Sequence, residues 1–421
     1  MSFPERKFDQ IYWPTIGVYL VAGVAAALFI QLNFPKALRL GLAVTDVSAL
    51  AHSLSEVYDL KTFLYIKRYD LGGLMLLYAP AYRISPSFYP TINALLFAGA
   101  ALVYKRLIVD QLPDTTSQAT AIIGLLGNPF FLLNMPGPNK ELPLLLLTLL
   151  LALLLVEKAT GWIWKSALVA IAAFFFRDGY GALLLMFVAV YYVVQRWSPP
   201  ASMGWRMAAI CLAISLGVSI FAHALAPWLP FVQRNLHFAD HLSPDIAAAG
   251  DHGAWALLKS TFVPVQWMRH LVLNASSLIL FPALSHENGS VYWIGVSYAI
   301  FGHLNLVAFL FVVFTLGATI RRRLRPEQQA MTFERTETLS AMWLALFLLM
   351  TASSYTQPRY QMTILPLGLA GLSLRSTPAR WAFFGLPAVF AAGFLAWRNA
   401  HGMSPASVPF DVFPVNPYIV R

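Results

Sequence analysis

Charge is scarce in this chain. Asp, Glu, Lys and Arg make up 11% of its 421 residues, against roughly 25% in soluble domains. Hydrophobic residues reach 58% and the mean hydropathy is +0.63. A chain this apolar has too little polar surface to dissolve as a globule, which excludes the ordinary soluble classes. Cysteine is nearly absent as well. Cys211 stands alone, so no disulfide can form within the chain and no cysteine metal cluster is expected. The short alternating segments of a transmembrane barrel are missing, as are internal repeats and any stretch of soluble-domain composition. No short apolar region with a small-residue cleavage site heads the chain, so the run at 11–32 is expected to be a first span and not a signal peptide.

What is present is a series of apolar runs near bilayer length. They predict an all-α polytopic membrane protein, a single transmembrane domain over 1–421 with about eleven spans, at roughly 12–32, 86–103, 119–135, 142–157, 162–176, 181–195, 207–226, 292–320, 338–354, 361–374 and 381–397. The net charge of +10 would suggest nucleic acid in a soluble protein. Here most cations stand at span ends, where membrane orientation accounts for them. With a cytoplasmic N-terminus, Arg6, Lys7, Lys105, Arg106, Lys158, Lys165, Arg196, Arg206, Arg321, Arg322, Arg323, Arg325, Arg335, Arg375 and Arg380 all fall inside, and the C-terminal tail from Arg398 falls outside. Two long loops also fall outside, 33–85 and 227–291, the latter between spans seven and eight. In the first, Val47, Leu50, Leu54 and Val57 recur at helical spacing among Asp46, Ser53, Glu56 and Asp59, with Thr45 placed to cap, which predicts a juxtamembrane amphipathic helix. The apolar run 71–82 is too short to span and is expected to be re-entrant or interfacial. His237, His241, His252 and His270 in the second loop lack any metal-binding signature and are expected at the surface, so no metal site is predicted.

Three short outer tips carry one cation each. Asn134-Met135-Pro136-Gly137-Pro138-Asn139-Lys140-Glu141 holds Lys140, Arg177-Asp178-Gly179-Tyr180-Gly181 holds Arg177, and Gln357-Pro358-Arg359-Tyr360-Gln361 holds Arg359. The plain alternative for the first is a solvated turn whose Glu141 serves the start of the next helix. For the second it is a tight turn with a local ion pair and a glycine at positive φ. Convergence of the three cations on one face instead suggests an anionic ligand, for which Arg offers a bidentate fork and Lys a point charge. At a bilayer surface such an anion is most naturally a lipid phosphate.

This arrangement resembles the GT-C membrane glycosyltransferases over about residues 12–375. The likeness lies in the cytoplasmic N-terminus, the first external loop with its juxtamembrane helix, and the large loop between spans seven and eight. The resemblance implies an enzyme that moves a sugar from a polyprenyl-phosphate carrier to a glycan, lipid or protein acceptor on the extracytoplasmic face. It implies no cofactor and no nucleic acid, and a setting such as the bacterial inner membrane and its cell-envelope glycans. Asp46 would be the inverting general base, with Glu56 and Asp59 as alternatives, because the family's adjacent acidic pair is absent and Thr45-Asp46-Val47 stands in its place. Lys140 and Arg359 would hold the donor phosphate, with Gln357 and Tyr360 in support; Arg177 joins them as the third cation of that face and Asp178 as its supporting neighbour, neither with a clear counterpart in the family. A lipid-linked polysaccharide polymerase or ligase would show similar outer cations, although the second long loop is not Arg-rich. A transporter or flippase would show matching halves and midplane charges, and neither is seen in the sequence.

Overall fold

A computed structural model describes residues 3–42, 72–109, 114–158, 160–197, 203–228, 286–287, 290–291, 293–323, 335–350, 358–374 and 381–385, with a few isolated positions besides. The described chain is helical apart from one two-residue antiparallel pair, His286–Glu287 with Ser290–Val291. The predicted surface helix of the first outer loop and most of the second outer loop lie outside the described residues.

The helices follow the apolar runs. Those of nine residues or more are α1 (Phe3–Leu32), α2 (Gly72–Ile84), α3 (Tyr89–Ile108), α4 (Thr115–Leu126), α5 (Glu141–Glu157), α6 (Trp162–Phe174), α7 (Asp178–Trp197), α8 (Met203–Ile220), α9 (Trp293–Arg323), α10 (Arg335–Met350) and α11 (Leu365–Ser373). Among the described residues five segments are long and apolar enough to cross a membrane: Phe8–Leu32, Pro86–Ile108, Thr115–Leu133, Asp178–Trp197 and Ile300–Thr319. Shorter apolar helices accompany them, among them Trp162–Phe174, Met203–Val218 and Gln361–Ser373. Among the described residues this does not confirm the eleven spans expected from the runs: several runs form helices of only 9 to 17 residues, such as α11 and α5, and part of 381–397 lies outside the described residues. The outward faces are apolar too, with Val18, Val21, Phe29, Leu76, Leu95, Leu168 and Phe314 exposed. A fold with such faces is compatible with an integral membrane protein.

The segment expected to be re-entrant is the helix α2. The Gly73 N–H donates to the Phe175 carbonyl at 2.8 Å, which ties the start of α2 to the link between α6 and α7. A Cβ at Gly73 would lie 2.8 Å from the Phe176 ring, so only glycine admits this approach. Between α5 and α6 the chain turns through Lys158 (φ 47°) and Gly161 (φ 73°), both left-handed, as helix ends commonly are.

Polar contacts pin the two ends of the bundle separately. At one end, Lys105 Nζ lies 2.5 Å from Asp9 Oδ1 and over the Trp13 ring. Arg106 Nε lies 3.1 Å from Glu157 Oε1, and Arg335 Nη1 donates to the Leu107 carbonyl at 2.9 Å. These groups join the starts of α1 and α10 to the ends of α3 and α5, and three of them are cations assigned to the inner side. The opposite end gathers the close of α1 and the starts of α3, α5, α7 and α9. The Trp293 N–H donates to the Leu40 carbonyl there at 2.9 Å. In the interior, α8, α9 and α11 pack around α10, where Trp343 stacks on Phe347 with centroids 5.3 Å apart.

Candidate functional site at the loop before α5

The loop 134–139 is a buried plug and not the water-exposed tip its Pro-Gly-Pro sequence suggests. Asn134, Met135, Pro136, Gly137, Pro138 and Asn139 are all buried. The physical reason is hydrogen bonding. A buried loop without helical bonds leaves carbonyls that need donors, and side-chain amides from two helices, α1 and α3, supply them. Asn93 Nδ2 on α3 donates to the carbonyls of Asn134 (3.2 Å), Met135 (3.0 Å) and Gly137 (2.8 Å). Gln31 Nε2 at the end of α1 donates to the Pro136 carbonyl and, at 3.0 Å, to that of Pro86. Tyr78 Oη on α2 donates to Asn93 Oδ1 at 2.5 Å, and Asn139 Nδ2 donates to the same oxygen at 3.1 Å.

Asn139 links the plug to the helix that follows. Its Oδ1 accepts the Leu142 N–H at 2.9 Å, satisfying one of the donors that α5 leaves open at its start. Glu141 opens α5 and is buried, with its carboxylate at the positive end of the helix dipole. Oε2 accepts the Lys140 backbone N–H at 3.1 Å, and Oε1 accepts Arg177 Nη2 at 2.9 Å. Two of the three predicted cationic tips therefore meet at one carboxylate. Lys140 itself is half-buried, at the edge of the plug.

The third tip joins further along α5. Residues Pro358–Thr363 form a 3-10 helix packed against α5, with Arg359 and Tyr360 on its first turn. Tyr180 Oη on α7 lies 2.8 Å from Thr148 Oγ1 on α5 and 2.9 Å from Thr363 Oγ1. A buried hydroxyl chain thus ties together α5, α7 and the 3-10 helix of Arg359. Gln361, on the same 3-10 helix, accepts from Asn305 Nδ2 on α9.

The second tip also departs from its plain alternative. Gly179 lies within α7 and has no positive φ. Asp178 opens α7, and its Oδ1 accepts the Gly179 N–H at 2.8 Å. Arg177 reaches across to Glu141. The expected base Asp46, its alternatives Glu56 and Asp59, and the supporting Gln357 lie outside the described residues. Among the described residues no group of three or more His, Cys, Asp or Glu side chains is placed to hold a metal ion.

Sequence reasoning missed Gln31, Tyr78, Asn93, Asn139 and Glu141 as a connected set. A signal was present. A carboxamide inside an apolar run, as at Asn93 in the second predicted span, is costly in a membrane unless it is bonded. Comparison with known proteins adds nothing to this geometry, since no family model, curated protein or solved structure matches the chain.

Proposed function

We propose that this chain is a membrane glycosyltransferase of the GT-C kind. It would move a sugar from a polyprenyl-phosphate carrier to an acceptor on the extracytoplasmic face of a bacterial inner membrane. The observation that carries the proposal is the pairing of the Arg177 guanidinium with Glu141, whose other oxygen accepts the backbone N–H of Lys140, at the end of the bundle opposite Lys105, Arg106 and Arg335. The 3-10 helix of Arg359 packs on the same helix, α5.

The chemistry such a site would perform is an inverting displacement. An acceptor hydroxyl attacks the anomeric carbon while Asp46 takes its proton. The bond from the anomeric carbon to the phosphate oxygen breaks, and the phosphate leaves with the bonding electrons. Stabilising that growing negative charge is where preorganised cations contribute most. In this scheme Lys140 contacts the phosphate, Arg359 flanks it, and Arg177 is held in place by Glu141. Asp178 is satisfied at the start of α7, so its part is to fix that helix end beside Arg177.

The test is sugar transfer by the full chain in lipid, from a panel of polyprenyl-phosphate sugars. Transfer by the wild-type protein is expected, with losses of about 100-fold or more for Asp46→Asn and for Lys140→Ala. A wild-type protein inert with every such donor, or a Lys140→Ala variant at full rate, overturns the proposal.

A further inference from the structure

We infer that Asn93 is a positioning residue for Lys140, acting through Asn139 and the first turn of α5. This inference rests on the function proposed above. Asn93 is fully buried, and both ends of its amide are engaged by the plug. Its nitrogen meets three loop carbonyls, and its oxygen accepts from Tyr78 and from Asn139. Asn139 Nδ2 also donates to the Asn134 carbonyl at 3.0 Å, closing the loop on itself. Asn139 Oδ1 then accepts from the Leu142 N–H. Lys140 stands between Asn139, which Asn93 holds, and Glu141, whose carboxylate takes the Lys140 N–H. The backbone of Lys140 is therefore fixed from both sides, and one of the two fixings runs back to a single side chain on α3.

The residue type matters. A carboxamide presents a donor and an acceptor on one carbon at this reach. A carboxylate would face three carbonyl oxygens with its own negative oxygens. An aliphatic side chain would leave those carbonyls and the Tyr78 hydroxyl to find other partners. Catalytic groups need to be held to within about 0.5 Å of their working geometry by such supporting bonds. A cation that stabilises a leaving phosphate is sensitive to that tolerance, because its contribution is made in the transition state. Asn93 touches neither cation, and α3 also packs lengthwise on α5. Its loss should therefore disturb the plug more than the bundle.

The experiment uses the full chain in lipid nanodiscs and two readouts. The first is hydrogen exchange of the ligand-free protein, followed by peptide. Asn93→Ala is expected to speed exchange at 134–142 while leaving α9 and α10 unchanged. The second is a double-mutant cycle on sugar transfer from a polyprenyl-phosphate sugar. Asn93→Ala alone should lower kcat by about tenfold or more with KM within about threefold, and in the Lys140→Ala background it should cost less than about twofold further. Unchanged exchange at 134–142 overturns the inference. So does exchange that rises evenly through the bundle, which would make Asn93 a general folding residue, and so do losses that multiply in the double variant. If the wild-type protein transfers no sugar, the proposed function falls, and exchange alone decides whether Asn93 orders the Lys140 segment.

Discussion

Arg177 reaches across 36 positions of sequence to place Nη2 at 2.9 Å from Glu141 Oε1. Arg177 ends the α6–α7 link and Glu141 opens α5, so the pair joins that link to the start of α5. Glu141 is the more deeply buried partner, its side chain 8% exposed against 24% for Arg177. Removing Arg177 therefore takes the charged partner from a carboxylate with little access to water, whereas removing Glu141 leaves a guanidinium that solvent can still reach. Breaking a fully buried pair costs about 3–5 kcal/mol. Partial exposure lowers this, so Arg177→Ala should cost about 3 kcal/mol and Glu141→Ala about 2 kcal/mol. The double variant should recover part of the sum. Unfolding in detergent, compared across the three variants, checks the order. Equal effects for the two single variants would contradict it.

The opposite end offers an independent pair. Lys105 and Asp9 are 12% and 17% exposed, with Nζ 2.5 Å from Oδ1. Lys105→Ala should cost about 2 kcal/mol by leaving Asp9 half-buried beside Trp13. α5, 17 residues long, alone puts Glu141 and Glu157 about 24 Å apart at 1.5 Å per residue. Changes at the two ends share no partners and should add to within about 0.5 kcal/mol. A Lys105→Ala/Glu141→Ala variant measured in the same unfolding series tests this. A coupling above about 1 kcal/mol would mean that the ends communicate through the bundle.

Much of this architecture is legible in the sequence, and the illegible part has a definite physical character. The apolar runs at 12–32, 162–176 and 181–195 reappear as α1, α6 and α7, because burial and lipid contact both select for apolar helices. The cation pattern also separates the two ends, since Lys105, Arg106 and Arg335 fall together, opposite Lys140 and Arg177. The plug does not show in the sequence. Pro-Gly-Pro carries the composition of a solvated turn, and what buries it are amides 41 to 105 positions away. Such pairings leave no periodicity behind. The glycines mislead in the same way. Gly179 suggests a turn, while the structure makes its demand at Gly181, set by the backbone of Phe174 against which it packs.

Tyr180 gives a prediction that concerns function more than folding. Its hydroxyl sits between Thr148 on α5 and Thr363 at the end of the 3-10 helix of Arg359. Tyr180→Phe keeps the ring and removes both bonds. Thr148 retains its bond to the Leu144 carbonyl at 2.7 Å, so the stability cost should stay near 1 kcal/mol. If Arg359 acts on the donor phosphate, loosening its 3-10 helix should lower sugar transfer by more than about fivefold despite that small cost. Steady-state transfer rates measured beside unfolding midpoints separate the two effects. A variant destabilised by 1 kcal/mol yet fully active would remove this hydroxyl chain from the site.

Two glycines on neighbouring helices should respond in opposite directions. A Cβ at Gly181 would fall on the backbone of Phe174, the last residue of α6, and backbone cannot swing aside as a long side chain can. Around Gly217 on α8 nothing lies within 4 Å of the same added atom. Alanine at 217 therefore meets no clash and gains the helix propensity that glycine lacks, about 0.5–1 kcal/mol. Alanine at 181 gains the same propensity but must push α6 and α7 apart, a strain of about 3 kcal/mol or more where neither helix can yield. That displacement would also shift Arg177, which lies between the two helices, away from Glu141. Gly217→Ala is thus expected to melt at or slightly above the wild-type temperature with transfer unchanged. Gly181→Ala should melt lower and lose transfer together with the Arg177–Glu141 pair. Finding both variants indistinguishable from wild type would show that the α6–α7 contact is looser than its geometry implies.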